Sequence, residues 1–218
     1  MQEEAITNIL KDYVTETRCD RLEEILAQRT RYLTVLLEDI YQPQNASAVL
    51  RTCDCFGVQD VHIIETFNQY QVNPMVVKGA DKWLTLHKYT GYEDAVSRLR
   101  TNGYRIIATS LHADSKPLHE LDLGKGKCAL VFGNEHRGVS GELLEAADEH
   151  VLIPMYGFTQ SLNISVSAGI ALHYLTGELK KSGINLSLSQ AEKTVLMAQW
   201  LQQTVKKSEL ILNRLIKE

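Results

Sequence analysis

An α/β fold, with a mostly parallel sheet and helices on both faces, is the architecture this sequence predicts. Three observations carry it. The run CALVF at 128–132 is apolar throughout, the pattern of a strand buried on both faces. Residues 32–64 read as apolar strand, helix and apolar strand, a βαβ unit whose strands run parallel. Polar loops at 42–45, 133–138 and 156–163 each follow such a strand, at the edge where open α/β sheets bind ligands. At 218 residues the chain suits one such domain with helical additions.

In chain order, residues 2–16 place Ile6, Ile9, Leu10 and Tyr13 on one helical face. Asp20 reads as the N-cap of a second helix reaching Ala27, with Leu22, Ile25 and Leu26 apolar. The first core strand spans 32–37. After a polar turn at 41–44, Asn45 reads as the N-cap of a helix to about Cys55 that Gly57 ends. Strand 61–64 follows, then an irregular stretch over 66–83 with a turn at Asn73 and Pro74. Strand 84–89, helix 92–100 with Ala95, Val96 and Leu99 inward, and strand 104–109 continue the alternation. A loop over 111–127 leads to strand 128–132 and the glycine-flanked GNEHRG. Ser140 starts a helix to Ala147, and 151–153 is the last strand. Ser161 or Asn163 then caps a helix with Ile164, Ala168, Ile170, Ala171 and Tyr174 at apolar positions and Gly177 as its C′ residue. Past Gly183 the composition shifts, and Ser189 caps a long helix to about Lys217. The expected organisation is a helical extension over 1–31, a core over 32–177 and a second helical extension over 178–218.

Composition bounds the function. No apolar run has membrane-spanning length, and MQEEAITNIL lacks a signal-peptide pattern, so a cytoplasmic location is expected. Cys19, Cys53, Cys55 and Cys128 form no zinc-site spacing and read as reduced thiols. The seven histidines show no H-x-x-x-H spacing, so no metal is expected. GNEHRG is neither a phosphate-binding Gly-Lys-Ser/Thr loop nor a G-x-G-x-x-G fingerprint, and no G-x-S-x-G elbow occurs. A net charge of −4 argues weakly against broad phosphate binding, though a local basic patch is compatible with it. The glycines of GNEHRG fit a tight turn or close backbone approach to a ligand, and Glu135 between them fits either a helix-capping acid or a functional one. Arg51 lies six residues beyond Asn45 among apolar neighbours; it fits an ordinary surface salt bridge or a fork that clamps phosphate.

Three stretches together are more specific than any one. NASAVLRTCDCFGV at 45–58, LVFGNEHRGVS at 130–140 and LIPMYGFTQSLNISVSAGIAL at 152–172 resemble the signature motifs of the SpoU, or TrmH-like, RNA ribose 2′-O-methyltransferases of the SPOUT class, in the family order. The resemblance implies S-adenosylmethionine as cofactor, a deep trefoil knot at the carboxyl end of the core and a homodimer. It places Asn45 and Arg51 in the first motif, Glu135 in the second, and Ser161 and Asn163 in the third, with Arg51 catalytic. It places the cofactor among Thr109, Ser110, Leu111, Gly133, Asn134, Glu135, Ile153, Met155, Ser161 and Leu162. Only about 31 residues precede the first strand, so the extra N-terminal domain of the family's ribosomal-RNA enzymes is not expected. Within the family the chain most resembles the tRNA D-loop guanosine-18 enzymes. The alternatives are a ribosomal-RNA 2′-O-methyltransferase and a non-catalytic RNA-binding or assembly factor. RNA contacts are expected from the terminal segments, with Arg18, Arg21, Arg29 and Arg31 as the first candidates.

Overall fold

In a computed structural model, which describes residues 2–111 and 114–215, the elements run α1 (Gln2–Lys11), α2 (Glu16–Ala27), β1 (Leu33–Glu38), α3 (Pro43–Cys55), β2 (Asp60–Ile64), α4 (Pro74–Val77), β3 (Thr85–Tyr89), α5 (Tyr92–Thr101), β4 (Arg105–Thr109), β5 (Lys116–Pro117), β6 (Cys128–Phe132), α6 (Gly141–Glu145), β7 (Glu149–Leu152), α7 (Ile164–Lys181), α8 (Gln190–Thr204) and α9 (Ser208–Leu215). They form two compact units: Arg31–Leu186, and the two chain ends, Met1–Thr30 with Ser187–Glu218.

The first unit is built on a sheet of order β3-β2-β1-β6-β4-β7-β5, parallel at every pairing. Strands β1, β2 and β6 are buried along their whole length; β6 is the continuous apolar run that predicts this, while β1 and β2 also bury Thr34, Glu38, Asp60 and His62. Alternate side chains feed two cores. Leu33, Val35 and Leu37 join Leu50 of α3 and Leu172 of α7 on one face. Leu36, Val131 and Ile106 join Leu99 of α5 and Leu143 of α6 on the other. The expected α/β class, with a parallel sheet between helical layers, is what the chain adopts.

The second unit holds α1, α2, α8 and α9, with α8 packed on both N-terminal helices. Leu10, Leu22, Leu26, Trp200 and Leu201 are buried there. Ser189 and Glu192 form the capping box that starts α8.

Several expected boundaries move, each for a local reason. Thr15, not Asp20, caps α2, its hydroxyl accepting from the Arg18 N–H. Asn45 is not an N-cap: Pro43 starts α3 with Gln42 at the cap, and Asn45 sits buried one turn into the helix. Asn163, rather than Ser161, caps α7 by accepting from the Ser165 N–H at 2.8 Å. That helix passes through Gly177 and ends at Ser182, with Gly183 beyond it at φ +74°. The long C-terminal helix is two helices, because Val205 turns extended and Lys207 adopts φ +59°. Its expected end at Lys217 lies outside the described residues. The short α4 and edge strand β5 carry too few residues to leave a periodic signal.

Candidate functional site

Four chain segments leave the sheet at the carboxyl ends of β1, β4, β6 and β7, and together they line a cleft of about 650 Å³. The β6 exit is the tightest. A Cβ on Gly133 would lie 2.1 Å from the Gly138 carbonyl carbon and 2.2 Å from the Val139 nitrogen, so only glycine fits that close approach. Asn134 closes the same turn. Its amide donates to the Asp39 carbonyl at 2.7 Å, and its side-chain oxygen accepts the His136 N–H at 2.9 Å. Asp39 adopts φ +47°, and its carboxylate also accepts the Phe67 N–H at 2.8 Å. One aspartate after β1 therefore holds two loops.

Glu135 reaches from this turn to the N-terminus of α3. Its carboxylate accepts the Tyr41 N–H at 2.8 Å, the Gln42 N–H at 3.1 Å and the Asn45 amide at 2.8 Å. Gln42 supplies no side-chain cap, so this distant carboxylate serves the helix end in its place, where negative charge is favoured. Burial pushes the Glu135 carboxyl up, but the Asn45 amide and the backbone N–H groups outweigh burial and hold it below its ordinary value. Asn45 in turn accepts the Asn163 amide at 3.1 Å, and Asn163 caps α7. The Glu135–Asn45–Asn163 chain of hydrogen bonds thus joins the three sequence motifs at one edge of the cleft.

Every residue expected at the cofactor site lines this cleft: 109–111, 133–135, Ile153, Met155, Ser161 and Leu162, with Asn45 and Asn163 beside them. Thr109 donates to the Val131 carbonyl at 2.8 Å, and the Ser110 and Ser115 hydroxyls meet at 3.0 Å. Arg51 is not part of the lining. It stands exposed on α3 and makes no hydrogen bond or ion pair among the described residues. Two groups escape sequence reasoning. Glu38 receives both the N–H and the hydroxyl of Ser140, and burial raises its carboxyl pKa despite those bonds. The Glu-Asp pair ending an apolar strand was its visible signal. The Gln42 side chain, 3.4 Å from the Asn45 amide, had none.

The four candidate RNA arginines do not share one environment. Arg18 and Arg21 are exposed on α2, with Arg21 paired to Glu24 at 2.6 Å. Arg29 is only 2% exposed, its guanidinium 5.3 Å from the Trp200 ring centroid, so it is a core residue rather than an RNA contact. Arg31 is bound to Asp60 at 2.5 Å. Among the described residues, no group of three or more His, Cys, Asp or Glu side chains is placed to hold a metal ion, and no helix is long and apolar enough to cross a membrane.

The SpoU rRNA methylase family model matches residues 32–173, a span that contains all three motifs. The chain belongs to this family. It is 45% identical over 205 residues to a tRNA (guanosine(18)-2′-O)-methyltransferase of Borreliella burgdorferi, covering 94% of each chain. It is 38% identical over 170 residues to the enzyme of the same name from Thermus thermophilus, covering 78% of this chain and 87% of that one. Among solved structures, the TrmH/SpoU tRNA modifying enzyme of Aquifex aeolicus superposes with a TM-score of 0.79 at 34% identity, covering 88% of this chain and 98% of the other. The family resemblance read from the motifs is borne out.

Proposed function

We propose that this family member is an S-adenosylmethionine-dependent tRNA (guanosine-18) 2′-O-ribose methyltransferase that acts as a cytoplasmic homodimer. The observation that carries the reading is the Glu135–Asn45–Asn163 chain, which draws the family's three motifs to one cleft edge. The names of its relatives favour tRNA over ribosomal RNA as substrate.

The cleft suits the cofactor. Its volume of about 650 Å³ falls within the ~300–1,000 Å³ usual for small-molecule sites. Its lining includes apolar Leu118 and Ile153 together with Ser110 and Ser161, a mixture that fits a molecule with a flat base and polar edges. Residues 109–111, 133–135, Ile153, Met155, Ser161 and Leu162 would hold it. When bound, S-adenosylmethionine supplies an electrophilic methyl group.

The chain's own residues must then lower the cost of removing the ribose 2′-OH proton. Arg51 stays protonated at neutral pH and is a poor free base. Its planar fork suits two simpler tasks: gripping a backbone phosphate and stabilising negative charge that develops on the 2′ oxygen. Asn45, Glu135 and Asn163 act as positioning residues. They fix the start of α3, and so the bearing of Arg51 about two turns further on.

Two further features fit the family pattern. Strand β7 lies in the sheet between β4 and β5, which are consecutive strands. This order, with a later strand set between two earlier ones, is compatible with the trefoil knot that the family resemblance implies. Val166 and Ile170, four apart on α7, are 47% and 41% exposed, and with the exposed Leu162 just before the helix they offer an apolar stripe suited to a second copy. The exposed Arg18 and Arg21 of α2 are offered to the tRNA backbone. Nucleoside mass spectrometry of unmodified tRNA incubated with the protein and isotope-labelled methyl donor tests the reading. It is expected to yield labelled 2′-O-methylguanosine at position 18. Label confined to ribosomal RNA, or no label with a folded protein, overturns it.

A further inference from the structure

Beside the cleft mouth, two aromatic side chains stand out in solvent, each in contact with a side chain of the GNEHRG turn. Tyr41 is 59% exposed and Phe67 is 74% exposed. The His136 ring meets the Tyr41 ring edge-on, with centroids 5.6 Å apart and planes at 64°. The Arg137 guanidinium lies over Phe67, 5.3 Å from its centroid. His136 and Arg137 are neighbours in the chain and both line the cleft. Their Cα atoms are about 3.8 Å apart, so the two aromatic partners flank a single turn.

The backbone beneath these rings is fixed. The Tyr41 N–H is tied to Glu135, the Phe67 N–H to Asp39, and Asn134 links the turn to the same Asp39. Rings on so well-anchored a backbone are pre-organised, yet they bury little of their own surface. An aromatic face with a guanidinium stacked on it, beside a second aromatic with an imidazole, is the chemistry that receives a splayed-out nucleobase. The fixed positive charge of Arg137 on these exposed rings, in a chain of net charge −4, favours a polyanion over a second copy of this chain. The apolar stripe of α7 carries no such charge.

We propose that Tyr41, Phe67, His136 and Arg137 form a stacking platform for an unpaired RNA base next to the ribose being modified. The inference rests on the RNA-methyltransferase reading and adds to it a means of selecting single-stranded nucleotides. Stacking contributes about 1–3 kcal/mol per base, which is about 5- to 160-fold in affinity.

The test uses the full chain, an unmodified tRNA transcript and a short single-stranded RNA carrying 2-aminopurine. Phe67→Ala is expected to weaken binding of both RNAs within that range and to reduce aminopurine quenching. The slope of affinity against salt should stay unchanged, because stacking releases no counterions. Phe67→Trp is expected to restore binding. S-adenosylhomocysteine affinity, measured by calorimetry, should match the wild type in both variants and serves as the check on folding. Wild-type RNA affinity in Phe67→Ala and Tyr41→Ala, with the wild type binding tRNA, overturns the platform alone. A dimer that dissociates in Phe67→Ala assigns the rim to a second copy and also overturns it. A wild-type protein without tRNA affinity overturns both this inference and the functional reading beneath it.

Discussion

Asn45→Asp changes no shape but replaces the Asn45 side-chain donor to Glu135 with an oxygen. In the native chain the Asn45 amide donates to Glu135 at 2.8 Å, while the Asn45 oxygen accepts from Asn163 at 3.1 Å. The substitution keeps the Asn163 bond and sets two carboxylates against each other. Losing a hydrogen bond to a charged group costs about 1.5–3 kcal/mol. Repulsion between facing carboxylates adds to this until the pair takes up a shared proton. The expected deficit at about pH 8 is therefore about 3–5 kcal/mol. Native Glu135, held below its ordinary value, contributes stability above the unfolded carboxylate value and loses it as pH falls through its folded value. The Asp variant reverses the sign, since the shared proton is bound more tightly in the folded chain. Its deficit should shrink by at least about 1.5 kcal/mol between about pH 8 and pH 5. Urea unfolding of wild type, Asn45→Asp and Asn45→Ala at both pH values measures this. A deficit that is equal at the two pH values, or an Ala variant that shows the same response, would refute the reasoning.

Four other outcomes follow from the geometry. Gly133→Ala places a Cβ 2.1 Å from backbone at Gly138 that cannot swing away, so a loss of more than about 3 kcal/mol in chemical unfolding is expected; a change under about 0.5 kcal/mol would contradict it. His62 is 2% exposed; burial first, then the nearby His87, lowers its pKa to about 4, so the folded chain keeps it neutral. Stability should therefore be full above about pH 6.5 and fall by about 2–3 kcal/mol on acidification towards pH 4.5, a component that His62→Gln should lack in matched urea titrations. Arg18→Ala with Arg21→Ala should weaken tRNA binding and lower its salt slope by about 1.5–2, whereas Arg29→Ala should lower the melting temperature and leave the slope alone; equal slopes in all three proteins would count against the α2 surface. Arg51→Lys keeps the charge and loses the fork, so turnover should drop at least about 100-fold with S-adenosylhomocysteine affinity intact, and near-normal turnover would remove Arg51 from the chemistry.

The strands were legible because burial on both faces leaves an unbroken apolar run, as at CALVF. The motif residues were legible because their order along the chain matches a family. Partners distant in sequence were not. Asn45 reads as an N-cap until Glu135, 90 residues away, takes its amide; only Pro43 hinted that the helix begins earlier. Arg29 looks like Arg18 and Arg21 in sequence, and only Trp200, from the other chain end, makes it a core residue. Gly177 carries the usual stop signal, yet Glu178–Lys181 are good helix formers and the stop shifts to Gly183. The break at Lys207 has neither glycine nor proline to announce it.

The placement of β6 between β1 and β4 also dictates how the chain must emerge from the ribosome. Strands β1, β2 and β3 can pair as they are made, but the other edge of β1 has no partner until Cys128 comes to lie beside Leu33. At about 5–20 residues per second, that interval of about 95 residues leaves a largely apolar strand edge open for about 5–20 s. An unpaired edge of Leu33–Glu38 is a template for another chain. Synthesis rate through residues 65–127 and the holdase capacity of the host should therefore govern soluble yield more strongly than the stability of the finished sheet.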